Sequence, residues 1–191
     1  MLCAQCGKKM LNRGGAHAFC CAKGESTKGH YAVVRKIFDV VKQVDAGAET
    51  EAAGLINSAP ILRPADILST AVSDCAAALD LGIASPDAAH AGTDCTETMW
   101  RAKKSKYAPY EAELSRQNIQ YRPIIFSAYG RPHPDAQKFL STLSRRLARR
   151  RCFASAASIR RQLEKNIAVE IWRRAARMVA ACWAQTSPVE E

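Results

Sequence analysis

Two aspartates, Asp66 and Asp80, sit inside two short apolar runs, 61–70 and 77–84, whose polar connection is centred on Ser73. Runs of this length bounded by polar residues suit the arms of a hairpin, and a hairpin folded about Ser73 pairs residue 66 with residue 80. Directly opposed residues of an antiparallel pair carry Cβ atoms about 4.5–5.5 Å apart on one face. Like charges so placed repel unless something neutralises them, and a divalent cation does so best. Alternation along the arms puts Leu79, Leu81 and Ile83 on one face and Asp80 with Gly82 on the other, while Asp66 shares a face with Pro64 and Leu68. Both carboxylates therefore point the same way.

The rest of the chain supplies helices to cover such a hairpin. From His30 to Val44 the residues Val33, Val34, Ile37, Val40, Val41 and Val44 recur at three- and four-residue spacing, which predicts an amphipathic helix. A polar loop over 45–54 and a weak strand over 52–57 precede the hairpin. Asp94 and Glu97 then make an N-cap and N3 pair that opens a helix running to about Asn118, with a kink or break expected near Ala108 because Pro109 follows it. Residues 119–127 form another strand. Helices are expected over 135–151 and about 154–183. The order helix, strands, helix, strand, helices predicts an α/β (α+β) fold, a small mixed sheet flanked by helices.

At 191 residues and 48% hydrophobic content the chain can bury one ordinary core with a small appendage. No stretch approaches the roughly 18–20 apolar residues of a membrane span, and no apolar segment follows a basic start, so an intracellular protein, nuclear or cytoplasmic, with no membrane partner is expected. Eight cysteines without a signal segment fit metal ligands and buried thiols better than a disulfide scaffold.

Cys3, Cys6, His17 and Cys21 form C-x2-C-x10-H-x3-C, the tight thiolate pair and closing His/Cys pair of a tetrahedral zinc site. Gly14-Gly15 allows the backbone to fold back on the first pair. Cys20 can replace Cys21 in this pattern, and His30 can act as an alternative ligand. Residues 1–29 are thus expected to form a zinc-stapled module. A first ligand at residue 3 suggests a piece of a longer protein.

Two acidic groups on one face of a sheet suit one or two Mg²⁺ ions, which bind a scissile phosphate and lower the pKa of an attacking water. A lysine two residues after Asp80 would complete an Asp-x-Lys motif, but Gly82 stands there. Met99, Lys103, Lys106, Tyr110 and Leu114 share one helical stripe, so Lys103 and Lys106 are the replacement candidates, and the glycine leaves room for them. Trp100, Lys104, Tyr107, Glu111 and Leu114 define a competing stripe. Glu49 and Glu51 are further acidic groups in reach of the hairpin by sequence.

The net charge of +10 is concentrated: from Arg131 to Trp183 thirteen Lys/Arg face only Asp135, Glu164 and Glu170. A segment so basic favours a polyanion, nucleic acid first. Arg145, Arg146, Arg149, Arg150 and Arg151 are the nucleic-acid-binding candidates, followed by Arg160, Arg161, Arg173, Arg174 and Arg177, on helices whose apolar faces dock and whose arginines face out.

In order along the chain, Cys3/Cys6 with His17-Ala-Phe-Cys-Cys21, Gly29-His30, Arg63-Pro-Ala-Asp66, Leu79-Asp80-Leu, Lys103-x-x-Lys106-Tyr107 and Tyr121-Arg-Pro-Ile-Ile-Phe-Ser127 ending at Gly130 resemble the C-terminal region of non-LTR retrotransposon polyproteins, a zinc knuckle followed by a restriction-endonuclease-like domain. The resemblance implies a zinc knuckle over 1–29, a PD-(D/E)XK-type core over 30–130 and a basic helical extension over 131–185. It implies Asp66 and Asp80 as Mg²⁺ ligands, and a catalytic lysine moved to the helix, Lys103 ahead of Lys106. The implied function is nicking of target DNA, with DNA and RNA as partners and a reverse transcriptase region upstream. The chain departs from the pattern in three ways: Ala65 separates Pro64 from Asp66, the Asp-x-Lys lysine is absent, and no Tyr-x-Asp-Asp polymerase signature occurs. A decayed copy that binds nucleic acid without cutting it is the alternative.

Overall fold

The first long helix begins well before its apolar stripe does. In the computed structural model, which describes residues 2–11, 17–21, 23–151 and 155–183, a short helix α1 (Ala18–Cys21) is followed by α2 (Lys23–Val41), seven residues longer at its start than the periodicity predicts. Residues 23–29 carry no apolar stripe because they pack on a distant helix rather than on the sheet, and an ion pair between Lys28 and Glu25 (2.7 Å) spans that turn. Val33, Val34, Ile37 and Val41 are buried as their spacing requires.

The sheet has four strands in the order β1 (Glu49–Thr50), β2 (Ile67–Ser69), β3 (Ala76–Ala84) and β4 (Ile119–Ser127). The first two pairings are antiparallel and β3 with β4 is parallel, so the sheet is mixed. No strand forms over 52–57, where Gly54 adopts φ +73 and Ala52, Leu55 and Ile56 pack under the loop instead. The first arm is shorter than expected for a related reason: Pro64 lacks the N–H that a ladder needs, and regular pairing starts at Ile67. The register Ile67↔Leu79, Leu68↔Ala78, Ser69↔Ala77 is the one centred on Ser73. The regular ladder stops at Ile67: the Asp66 N–H also turns to the Leu79 carbonyl, so the expected Asp66–Asp80 pair is not part of it.

Between β3 and β4 the chain crosses over through α3 (Cys95–Tyr107), a single 3₁₀ turn at Ala108–Tyr110 and α4 (Glu111–Arg116). The break falls at Pro109, as proline geometry demands. Asp94 caps α3, accepting from the Thr96 and Glu97 N–H groups at 2.9 and 3.3 Å. Glu97 does not close the capping box; it turns to His133 (2.9 Å) and Arg101 (2.5 Å).

Two long helices, α5 (Pro134–Arg150) and α6 (Ala156–Trp183), complete the chain. Alternation in β3 divides the molecule. Leu79 and Leu81 face α2, α5 and α6, meeting Val33, Ile37, Phe139 and Ile167 in the main core. Ala78 faces the other way, into a second core with Tyr107, Leu114 and Tyr121 under α3 and α4. Cys3, Leu11 and Ala18 of the N-terminal module are buried against Met178 and Cys182 of α6, and the Ala4 N–H donates to the Cys182 carbonyl at 2.9 Å. The C-terminal helix therefore ties the N-terminal module to the sheet.

Candidate active site and metal centre

The two aspartates are held by different elements, Asp66 by α2 and β3 and Asp80 by α3 and β4. Asp66 stands just before β2, its N–H bonded to the Leu79 carbonyl (2.9 Å). Its Oδ2 accepts from the Leu81 N–H at 2.7 Å, and its Oδ1 lies 3.4 Å from Nε2 of His30 on α2. Asp80 is buried in the middle of β3: Oδ2 accepts from the Tyr121 hydroxyl of β4 at 2.6 Å, and Oδ1 takes the Lys103 ammonium of α3. Burial, and then the negative charge of Asp80 beside it with a contribution from Asp66, pushes the Tyr121 phenol far above its ordinary range. The phenol keeps its proton and donates it.

Gly82 is the reason Lys103 can arrive. A Cβ built there would stand 2.7 Å from Met99 Sδ, 2.8 Å from Ile125 Cδ1 and 3.1 Å from Lys103 Cε, so the lysine stem crosses the strand where a side chain is missing. Lys106 goes elsewhere, exposed with its ammonium 4.8 Å from the centre of the Tyr107 ring. The two share a helical face but part at their ends, Lys103 to Asp80 and Lys106 to the ring of its neighbour. Of the two lysines, Lys103 is the one that reaches Asp80. Glu49 is exposed on β1 and Glu51 pairs with Arg63 (3.1 Å), so neither joins the aspartates.

His30, an alternative zinc ligand by sequence, belongs instead beside Asp66. Its place was readable in one respect: 30, 33, 34, 37 and 41 share a helical face, and the last four pack on the sheet. Tyr121 carried no signal, since nothing in β4 distinguishes an aromatic core residue from a hydroxyl aimed at a carboxylate.

The N-terminal module brings Cys3, Cys6, His17 and Cys21 together, with their four ligand atoms all within 4.8 Å of one another. Cys3 Sγ lies 3.7 Å from Cys21 Sγ and Cys6 Sγ 3.3 Å from His17 Nε2. A tetrahedron built on zinc–sulfur bonds of about 2.3 Å has edges of roughly 3.7 Å, so this donor set can hold such an ion. Cys20 is exposed and outside the group. Gly14-Gly15 lies outside the described residues. The thiols are unequal: although burial opposes its ionisation, hydrogen bonds led by the Cys6 backbone bring Cys3 down to about 7. Burial, followed by contacts with Cys6 and Cys3, pushes Cys21 up to about 12. Three clustered sulfurs cannot all ionise unless a cation replaces the protons. Cys182 of α6 adds a buried fourth sulfur near Cys3, raised to about 11 by burial; no local spacing could have announced it.

The arginine run of α5 does not meet the aspartates. The helix packs on the Leu79/Leu81 face, opposite Asp80. Arg146 donates to the Thr70 carbonyl (2.7 Å) and Ser73 carbonyl (3.3 Å) at the hairpin tip, Arg150 to the Gln43 carbonyl (3.0 Å), and Arg151 to the Gln43 side chain. Arg145 and Arg149 are exposed, with no acidic partner among the described residues. Arg174 corrects the expectation that the arginines of α6 face out: it is 5% exposed.

Compared with known protein families, curated proteins and solved structures, the chain matches none of them. No described helix is long and apolar enough to cross a membrane.

Proposed function

We propose that the chain is a metal-dependent DNA endonuclease domain of a retroelement, with a restriction-endonuclease-like core and a structural zinc module. The observation that supports this reading is Lys103 of α3 paired with the buried Asp80 of β3, with Asp66 held against the same strand by the Leu81 N–H. Asp66 and Asp80 offer the hard oxygen donors that Mg²⁺ takes while keeping most of its waters, and when bound it would supply a Lewis acid for the phosphate and an acidified water. Lys103 is placed to balance negative charge growing on a phosphoryl oxygen. Tyr121 orients Asp80 through its 2.6 Å hydrogen bond, as the Leu81 N–H orients Asp66. DNA is the proposed partner, with RNA second, and zinc the ion for the cysteine–histidine group.

The test is Mg²⁺-dependent relaxation of supercoiled plasmid. Asp66→Ala, Asp80→Ala and Lys103→Met should each lower nicking by at least about 10²-fold, the usual weight of one positioned charge. Lys106→Met should leave it within about twofold. Nicking that survives both aspartate changes ends the proposal.

A second reading is favoured by one specific observation. Asp80 spends one oxygen on Lys103 and the other on Tyr121, so its capacity to bind an ion is already occupied by protein. A nuclease fold that has lost cleavage and kept nucleic-acid binding would look like this. Wild-type protein that binds duplex DNA but never nicks it selects that reading.

A further inference from the structure

Arg174 is a buried cation that meets no anion among the described residues. Its stem lies against Gly29 of α2, where an added Cβ would come within 2.6 Å of Arg174 Cβ and 2.7 Å of Arg174 Cδ. Glycine inside a helix is unfavourable relative to alanine. At Gly29 that cost makes room for the arginine. The guanidinium donates from Nη2 to Ser26 Oγ (2.6 Å) and from Nε to the Ser26 carbonyl (3.4 Å). Among the described residues Nη1 has no acceptor and no carboxylate meets the group. Burial of a charge compensated only by neutral dipoles is unfavourable, and burial does work against this one.

Arg174 lines an open cleft of about 350 Å³ together with Ser26, His30, Gly82 and Lys103. Two of these residues belong to the acidic site: Lys103 is bound to Asp80 and His30 lies beside Asp66. The cleft thus flanks the aspartates, and its own charged side chains are cations. Its openness suits a chain passing through rather than an enclosed small molecule.

We propose that this cleft is a phosphate subsite, in which Arg174, assisted by Lys103, holds a backbone phosphate of a polynucleotide next to the one presented to Asp66 and Asp80. It rests on the reading of the substrate as nucleic acid, but not on cleavage. α6 then contributes directly to substrate contact, whereas the denser arginine run of α5 lies across the sheet. A planar guanidinium with one edge fixed by Ser26 leaves its other nitrogen to the phosphate oxygens.

The experiment is fluorescence anisotropy of the full zinc-loaded chain with a labelled duplex of about 20 base pairs in Mg²⁺-free buffer, over a range of salt. Arg174→Met should weaken binding about tenfold and lower the log–log salt slope by about one, and Arg174→Lys should keep most of both. Gly29→Ala, which favours the helix but displaces the arginine stem, should reproduce Arg174→Met. A folded Arg174→Met chain with unchanged affinity and slope overturns the proposal. Should that variant fail to fold, the side-chain Nε–Hε signal of Arg174 in the wild type decides: a shift on adding the duplex supports the subsite, and no shift overturns it. A shift with inorganic phosphate but none with duplex also overturns it, in favour of a free-phosphate site. If plasmid nicking is absent while duplex binding depends on Arg174, the nuclease reading falls and the subsite stands.

Discussion

The molecule holds two clusters of ligand-type side chains, and they differ in what keeps them together. The cysteine–histidine group draws all four members from residues 3–21, and its sulfurs face one another with little else to balance their charge. The acidic group draws its members from α2, β2, β3, α3 and β4, and every carboxylate oxygen has a protein neighbour: Leu81 N–H, His30, Lys103 or Tyr121. The first needs an ion to exist. The second has each of its carboxylate oxygens partnered by protein groups. On the proposed function, the first ion would be structural and the second exchangeable.

The sharpest way to break this contrast is to take metal away from each site in turn. Stripping zinc, or Cys6→Ser, should cost the most, since metal binding in such modules is folding free energy of about 10 kcal/mol or more. Elemental analysis should fall from one zinc per chain toward none. Because the module is seated on Met178 and Cys182, hydrogen exchange should speed up at the end of α6 as well as in residues 2–21. Omitting Mg²⁺ should leave the melting temperature unchanged. A zinc-free chain that melts like the wild type would erase the distinction.

Next in size is the removal of the buried member of the acidic pair. Asp80→Ala strands the Lys103 ammonium and the Tyr121 hydroxyl in a largely enclosed place, and losing one partner of such a pair costs about 3 kcal/mol or more. Asp66→Ala frees only the Leu81 N–H and a half-exposed imidazole, at a cost of about 1–2 kcal/mol. Chemical denaturation of the two variants measures the difference directly. Equal costs would mean that Asp80 is no more built-in than Asp66.

How much of this could be read beforehand follows the range of the contacts. The hairpin register was legible because the apolar pattern is nearly symmetric about Ser73, and a one-residue slip would turn Leu79 and Leu81 out of the core. The zinc ligands were legible because their spacing is local. Gly82 pointed to a lysine arriving from outside the strand, and Pro109 marked the helix break. What stayed hidden joins residues far apart: His30 to Asp66 across 36 positions, Tyr121 to Asp80 across 41, Arg174 to Ser26 across 148. Those pairings depend on how helices seat on the sheet, which side-chain periodicity does not encode. The false strand at 52–57 has the opposite origin, an apolar run that packs as a loop under Tyr107 and Leu114.

Gly82→Ala sharpens the comparison with a smaller change. The added methyl competes with Met99, Ile125 and the Lys103 stem, and overpacking of this kind costs about 1–3 kcal/mol. The expected signature is loss of nicking with a smaller loss of duplex binding, since Lys103 is pushed off Asp80 while Arg174 is untouched. Zinc content should not move.

The smallest effect belongs to Asp94, which caps α3 and so sets the direction from which Lys103 approaches. The Arg131 guanidinium, 2.6 Å away, together with the Thr96 hydroxyl, holds its carboxyl well below the ordinary carboxylate range. A carboxyl depressed in the folded state stabilises the fold above its unfolded pKa of about 3.9 and loses that contribution as pH falls toward its folded value. The melting-temperature gap between wild type and Asp94→Asn should therefore be small and constant from neutral pH to about pH 5 and shrink below about pH 4. Asparagine keeps the cap acceptor but not the charge, so the gap isolates the pairing with Arg131. A gap that widens on acidification would show that the charge of Asp94 is not what anchors α3 over the aspartates.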